Sequence, residues 1–254
     1  MTYTDRVTEI RRLDLGYFVR PASETGGAEP RVEPVLAYLV RRDDGVLLFD
    51  TGLGEGEPEV DAHYQPYRRP LAQALAGAGL STQDITVVVN CHLHFDHCGG
   101  NPLFAGVPIL TQSTELALAR GPNHTLPWLV DFAGVAYREL DGEAEIWPGV
   151  WILPTPGHTA GHQSLVVRHP DGTVVLAGQA HDFSLGYGSA VLARRASRDD
   201  IEVPGWLDRI TAFDDCPLRS VKRRIERFHG LVRSCWQEIT CPLKFQYEPL
   251  KTLQ

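Results

Sequence analysis

The stretch that decides the fold of this chain is "VVVNCHLHFDHCGGN", residues 87–101. A run of apolar residues, typical of a buried strand, leads directly into three histidines and one aspartate within six positions. In extended backbone alternate side chains point the same way, so His92, His94 and Asp96 can converge. His97 then turns to the other side. Histidines at this density, with a carboxylate between them, predict a metal site rather than core packing.

A second histidine-containing stretch supplies a further ligand. "PTPGHTAGHQSL", residues 154–165, places His158 on a Pro-Gly turn after a predicted strand. If two sheets pack face to face, His158 completes a trio with His92 and His94. Three protein ligands and one open position are the arrangement of catalytic zinc. His162, four residues later, is interpreted as a structural hydrogen-bond partner in the loop.

Two more stretches complete a pattern of four motifs. "LLFDTGLG" (47–54) precedes the histidine-rich stretch, and "VVLAGQAHD" (174–182) follows the second one. In this order and at this spacing, over about residues 15–185, the chain resembles the metallo-β-lactamase-fold hydrolases, most closely their N-acyl-homoserine lactonase-like branch. The resemblance implies an α/β fold, a four-layer αββα sandwich with the metal site at one edge of the two sheets.

The resemblance also implies roles for individual residues. By position, His92, His94 and His158 hold a first metal, and Asp96 and His97 help to hold a second. Zinc is the expected cofactor, with manganese or iron as alternatives because histidine and carboxylate ligands suit these metals too. Such a site polarises a substrate carbonyl and lowers the pKa of a water toward 7. Asp96 can then pass a proton to the leaving alkoxide.

Two positions depart from the family pattern. Where the family has a bridging aspartate this chain has Gln179, and no histidine follows His229 to serve as the last ligand. An anionic bridge offsets the repulsion between two dications roughly 3.5–4 Å apart, which a neutral amide does poorly. We therefore predict one tightly bound metal and a second that is weak or absent. His181, Asp182 and His229 are left open as replacement ligands.

Composition and charge restrict the partners. A net charge of −8 argues against nucleic-acid binding, which needs a positive field, so the expected partner is a small-molecule substrate. No apolar run approaches the roughly 18–20 residues that cross a bilayer, and the first residues lack the apolar segment of a signal peptide. Five cysteines, an odd number, favour free thiols in a reducing compartment, and the cytoplasm is expected.

The chain is interpreted as one domain, residues 1–254, because no linker or repeat divides it. From about residue 205 the composition turns basic, with nine Lys and Arg against six Asp and Glu. Apolar residues recur there at spacings of three and four from Leu218 to Ile239, which predicts an amphipathic helix of about 22 residues. Residues 121–140 are expected to form a loop-like insertion.

Three functions fit these features. The first is a metal-dependent hydrolase of a small ester-like bond, a lactone first and a thioester next. The second is a catalytically weakened metal- or ligand-binding member of the same fold, which Gln179 suggests. The third is a redox or lyase enzyme that uses iron or manganese. Trp128, Phe132 and Tyr137 either wall an apolar acyl-chain pocket or pack in the core.

Overall fold

The fold is built on strands whose two faces are both buried. In strand β2 (Arg31–Arg42), Val35 and Leu39 pack into one apolar cluster. Leu36 and Val40, which alternate with them, pack into a second cluster. This alternation follows the two-residue period of a strand, so β2 lies between two apolar layers. The computed structural model describes residues 7–169, 172–181, 184–201, 203–213 and 238–240.

Seven of the strands form the first sheet: β1 (Val7–Arg20), β2, β3 (Gly45–Phe49), β4 (Tyr67–Arg68), β5 (Val87–Val89), β6 (Pro108–Gln112) and β7 (Ala136–Leu140). Their order across the sheet is β4-β1-β2-β3-β5-β6-β7. Strands β1 to β4 pair antiparallel, with β2 and β3 forming a hairpin, whereas β3, β5, β6 and β7 run parallel. The carboxyl ends of the parallel strands therefore meet at one edge of the sheet.

The second sheet is antiparallel throughout and has the order β12-β11-β10-β9-β8. Its inner face packs on the first sheet, where Leu47 and Phe49 share an apolar cluster with Ile152, Leu165 and Leu176. The two sheets are thus stacked layers around one core. The strands are β8 (Ala144–Trp147), β9 (Val150–Pro154), β10 (Gln163–His169), β11 (Gly172–Leu176) and β12 (Glu238–Thr240).

Helices cover the outer face of each sheet. Leu71 and Leu75 pack on the first sheet, and Ala190, Leu207 and Ile210 pack on the second. The order of layers is therefore helix, sheet, sheet, helix, which confirms the predicted αββα sandwich. The helices are α1 (Ala22–Thr25), α2 (Pro58–Tyr64), α3 (Leu71–Gly77), α4 (Phe95–Cys98), α5 (Ser113–Ala119), α6 (Pro127–Val130), α7 (Ser184–Ala196) and α8 (Leu207–Thr211).

Two predictions about local structure differ from the fold. Glu238 and Ile239, at the end of the predicted C-terminal helix, lie instead in β12, where Ile239 pairs with Val175 on the edge of the second sheet. The rest of that predicted helix lies outside the described residues. The expected loop at 121–140 contains α6 and strand β7. Both strands are fixed by pairing with distant partners, which a local pattern does not reveal.

The cysteines that the structure describes, Cys91 and Cys98, are buried free thiols, as the cysteine pattern predicts. Cys216, Cys235 and Cys241 lie outside the described residues. Within the described ranges, no helix combines the length and the apolar character that crossing a membrane requires.

Candidate metal centre

Two glycine-containing loops meet at the carboxyl ends of β3 and β5. The backbone N–H of Thr51 donates to the carbonyl of His97 at 2.8 Å, and the N–H of Gly99 donates to the carbonyl of Gly52 at 2.7 Å. Gly54 has a φ of 64°, and a Cβ there would lie 1.9 Å from the carbonyl oxygen of Gly99. Only glycine allows this approach. The "DTGLG" and "DHCGG" motifs therefore form one packed unit.

Three histidines converge above this unit. The ligand atoms of His92, His94 and His158 all lie within 4.8 Å of one another. Nδ1 of His94 is 3.1 Å from Nε2 of His158, although the two residues are 64 positions apart. His92 is fully buried, and the other two are half-buried. The structure therefore brings together the trio that the sequence predicts.

The trio has the features of a metal-binding site. Nε2 of His92 is buried and has no hydrogen-bond partner among the described residues, and leaving a buried polar atom unpaired costs about 1–3 kcal/mol. Burial lowers the pKa of His92 well below its ordinary value and that of His94 to about 4. Both imidazoles are therefore neutral near pH 7, which is the form that binds metal. A metal ion fits these residues and would satisfy the unpaired nitrogen.

A second group lies directly beside the trio. The ligand atoms of His92, Asp96 and His97 also lie within 4.8 Å of one another, and Nε2 of His97 is 3.1 Å from Oδ2 of Asp96. Burial raises the pKa of Asp96, but the charge and hydrogen bond of His97 outweigh it and hold that pKa at about 2. Asp96 is therefore a carboxylate at neutral pH and can serve as a ligand or a proton acceptor.

Asp50 orients His97 and was not identified from the sequence. It is fully buried, and its Oδ2 lies 2.9 Å from Nδ1 of His97. Its Oδ1 accepts a hydrogen bond from the backbone N–H of Cys91 at 2.8 Å. A carboxylate on one imidazole nitrogen fixes the ring so that the other nitrogen faces the site. The sequence feature that could have identified Asp50 is an acidic residue directly after an apolar strand, in "LLFDTG".

The charges around His97 shift its titration. Burial lowers the pKa of His97, but the nearby carboxylates Asp96 and Asp50 outweigh burial and hold that pKa well above the ordinary value. Sγ of Cys91 lies 3.2 Å from Nδ1 of His97. Burial, and then the charge of Asp50, raise the pKa of this thiol to about 12. Cys91 is therefore a neutral packing residue near pH 7.

Glu115 is a buried carboxylate that sequence reasoning also missed. It accepts hydrogen bonds from the N–H of Leu93 at 2.9 Å, from Nε2 of His124 at 2.8 Å and from the hydroxyl of Thr159 at 2.6 Å. Burial raises its pKa, but the hydrogen bonds from His124, Thr159 and Leu93 outweigh burial and lower it. An acidic residue in the first turn of a helix normally predicts a solvent-exposed side chain. The partners of Glu115 are distant in sequence, so the local sequence did not indicate its burial.

His162 is structural, as predicted. Its Nδ1 lies 2.8 Å from the hydroxyl of Thr155, and its Nε2 accepts a hydrogen bond from the backbone N–H of Gln179 at 2.9 Å. Its ring lies 5.6 Å from that of His92, and its ligand atoms are close to Cys91, but both of its nitrogens are engaged. Position 179, where the family has its bridging aspartate, therefore lies beside the cluster with a neutral side chain.

Of the replacement ligands left open by the sequence, only His181 lies within the described residues. Its ring packs edge-on against Trp206, with centroids 5.7 Å apart. In the part of the chain that the structure describes, His181 belongs to no group that could hold a metal. Asp182 and His229 lie outside the described residues.

An aromatic cluster stands beside the ligands. Phe95, which lies between His94 and Asp96 in sequence, stacks on Tyr64 at 5.1 Å, and Phe18 contacts both rings. Burial and the neighbouring Glu24 raise the pKa of Tyr64 to about 12. Phe18 is buried, whereas Tyr64 and Phe95 are partly buried and leave apolar ring surface exposed next to the metal ligands.

The aromatic residues that the sequence suggested for this role lie elsewhere. Phe132 and Tyr137 pack against the cluster on the outer face of the first sheet, which confirms core packing as their role. Trp128 is 40% exposed. The aromatic rings beside the metal ligands therefore come from β1, α2 and α4 rather than from residues 121–140.

The sequence model of the metallo-beta-lactamase superfamily matches residues 30–181. This region contains the histidine trio, Asp96 and His97, and it spans more than half of the chain. The chain therefore belongs to the metallo-beta-lactamase superfamily.

Individual relatives narrow the comparison. The chain is 33% identical over 156 residues to an N-acyl homoserine lactonase from a Bacillus species, covering 56% of this chain and 62% of that enzyme. It is 30% identical over 188 residues to the N-acyl homoserine lactonase AiiB of Agrobacterium fabrum, covering 64% of this chain and 68% of that one. The match thus spans about three fifths of the Bacillus enzyme's length.

A solved structure shares the same architecture. The structure of an N-acyl homoserine lactone hydrolase, with N-hexanoyl-L-homoserine bound at its catalytic metal centre, superposes with a TM-score of 0.61. The alignment has 28% identity and covers 67% of this chain and 75% of that one.

Proposed function

We propose that this protein is a zinc-dependent hydrolase that opens the ring of a small lactone, an N-acyl homoserine lactone. The observation that carries the proposal is the convergence of the ligand atoms of His92, His94 and His158. Among them, the buried Nε2 of His92 has no hydrogen-bond partner among the described residues. The lactonase relatives support the choice of substrate. Three histidine ligands leave the fourth position of a tetrahedral metal free, which is the arrangement of a catalytic rather than a structural metal.

The proposed mechanism divides the work between ligands and a proton carrier. His92, His94 and His158 would hold the metal, and the lowered pKa values of His92 and His94 keep these two imidazoles neutral. When bound, the metal polarises the lactone carbonyl and lowers the pKa of a water toward 7. Asp96, which is ionised at neutral pH, accepts the proton of the attacking water and delivers it to the alkoxide that leaves when the ring opens. Asp50 keeps His97 aligned beside Asp96.

The aromatic cluster favours a substrate with an apolar arm. Tyr64 and Phe95, backed by the buried Phe18, present apolar ring surface next to the ligands, and burying an acyl chain there gains roughly 0.8 kcal/mol per methylene group. The phenol of Tyr64 donates to Glu24 at 3.2 Å, so the ring is held in place. We therefore infer that longer acyl chains bind more tightly than short ones.

We further propose that one zinc is held tightly and that the second is weak or absent. Gln179 stands where the family has an anionic bridge, and His181, whose ring packs against Trp206, belongs to none of the possible metal-holding groups among the described residues. The proposed second site then has His97 and Asp96, without a bridging anion. Manganese and iron are alternative metals for this set of ligands. A cytoplasmic location fits the free thiols of Cys91 and Cys98, which persist in a reducing compartment.

Asp96→Asn tests the assigned proton carrier. The amide is isosteric but cannot accept and return a proton, so we expect kcat for lactone opening to fall by about 10²–10⁴-fold. A steady-state assay with matched protein concentrations measures this. The tightly bound zinc should remain, because its three histidines are unchanged. Unaltered kcat in a variant that still holds its zinc would remove Asp96 from the proposed mechanism.

A substrate panel tests the reaction class. We expect hydrolysis of N-acyl homoserine lactones, with kcat/KM increasing from a butanoyl to a decanoyl chain, and slower hydrolysis of acyl thioesters. If thioesters are the better substrates, the protein is a thioesterase of the same fold. If the wild-type protein binds zinc but hydrolyses neither class of substrate, it is a metal-binding member of the fold without turnover, as Gln179 suggests.

A further inference from the structure

The two loops that carry the histidine trio are tied to one another by a single buried side chain. Leu93, which separates His92 from His94, donates its N–H to one carboxylate oxygen of Glu115 at 2.9 Å. Thr159, the residue after His158, donates its hydroxyl to the other oxygen at 2.6 Å. One carboxylate therefore sets the distance between ligands that are 64 positions apart in the chain.

We propose that Glu115, Thr159 and His124 form a positioning clamp that sets the metal affinity of the first site. The inference rests on the proposed metal site and adds residues to it that are not ligands. Groups that hydrogen-bond around metal ligands fix their orientation, and losing one typically costs 10–100-fold in metal affinity.

The backbone of the second loop packs directly on Glu115. A Cβ added at Gly161 would lie 2.3 Å from the backbone nitrogen of Glu115, so the loop approaches α5 as closely as a glycine permits. Thr159 and Gly161 lie on the same loop, one residue after His158 and one residue before His162 respectively. The loop is therefore held against α5 at two points.

His124 extends the clamp to the ligand itself. Its Nε2 donates to Glu115 at 2.8 Å, and its ring packs against the ring of His94 with centroids 4.5 Å apart. The side chain of His124 is 12% exposed, so its position is fixed by these two contacts rather than by solvent. His94 is thus packed on one side by a ring that Glu115 holds.

The chemistry of the clamp requires a carboxylate. Glu115 is fully buried and accepts hydrogen bonds from three donors, which a charged acceptor-only group can satisfy at once. A glutamine would direct its NH₂ group at a donor on one side. Removing the Thr159 hydroxyl would leave one carboxylate oxygen without its partner and free the loop of His158.

Zinc affinity in variants of the clamp tests the inference. Glu115→Gln and Thr159→Val should each weaken zinc binding by about 10–100-fold in competition with a chromogenic chelator. Thr159→Ser, which keeps the hydroxyl, should retain wild-type affinity. Thr111→Val is the matched control, because Thr111 is also fully buried and its hydroxyl has no partner among the described residues. Its zinc affinity should equal that of wild type.

The unfolding temperature of the metal-free proteins separates positioning from general stability. A purely structural role would lower this temperature in Thr159→Val and leave the zinc affinity within twofold of wild type, which would overturn the inference. Equal losses of affinity in Thr159→Val and Thr111→Val would overturn it as well. A wild-type protein that binds no zinc would overturn the proposed function itself, so the two failures are distinguishable.

Discussion

His94→Ala is expected to release the tightly bound zinc and to reduce lactone opening by at least about a thousandfold. The variant removes one of three ligands, and its partner in the cluster, Nε2 of His158, lies only 3.1 Å from the deleted nitrogen. Stabilisation of the transition state by a bound metal amounts to several kcal/mol, and about 4 kcal/mol corresponds to a thousandfold in rate. Zinc content and kcat/KM, measured on the same preparation, check the result.

The control for this variant is a histidine outside the cluster. His169 lies at the end of β10, and His169→Ala should keep both its zinc and its activity. Because His94 is half-buried and β5 ends before it, the fold should survive the substitution, and circular dichroism of both variants verifies this. Full activity in a folded His94→Ala protein would exclude the trio as the catalytic metal site.

Gln179→Asp is expected to change the metal content from one zinc per chain to two and to raise kcat/KM by at least about tenfold. The substitution places an anion at the position where the family has its bridging aspartate, and such a bridge offsets the repulsion between neighbouring dications. The turn itself should be preserved, because its hydrogen bond to Nε2 of His162 comes from the backbone N–H of residue 179. Metal analysis after dialysis and steady-state kinetics measure both effects.

Gln179→Asn provides the matched comparison. Its side chain has the length of aspartate but no charge, so it should stay at one zinc per chain with wild-type activity. Two tightly held zincs in the wild-type protein would contradict the account of the second site. The same conclusion would follow if the aspartate and asparagine variants were indistinguishable in metal content.

The sequence predicted those parts of the protein that local pattern and motif order encode. The apolar run before His92 indicated the buried strand β5, and the histidine-rich loops indicated the trio. The position of His158 beside His94 followed from the family resemblance and from the assumption that two sheets stack. That assumption is confirmed by the shared apolar cluster of Phe49 and Ile152.

The parts that the sequence did not predict depend on contacts between distant residues. The local sequence around Glu115 predicts an exposed residue at the start of a helix. In the structure Glu115 is buried beside the site, where it accepts hydrogen bonds from Leu93 and Thr159, 22 and 44 positions away. Asp50 lies in the "LLFDTGLG" motif, but its role in orienting His97 becomes apparent only from the contact between the two side chains. Strand β12 ends a segment whose apolar spacing indicated a helix, because pairing with the edge of β11 outweighs that local pattern.

The most direct test of the proposed function is the uptake of base at constant pH when N-decanoyl homoserine lactone is added to the zinc-loaded protein, with His94→Ala measured in parallel. Ring opening releases a carboxylic acid, so the rate of base addition reports hydrolysis without a label. We expect saturable base uptake with wild type and none above background with His94→Ala. No uptake with a wild-type protein that holds zinc, or equal uptake with both proteins, would contradict the assignment of this site as a metal-dependent lactonase.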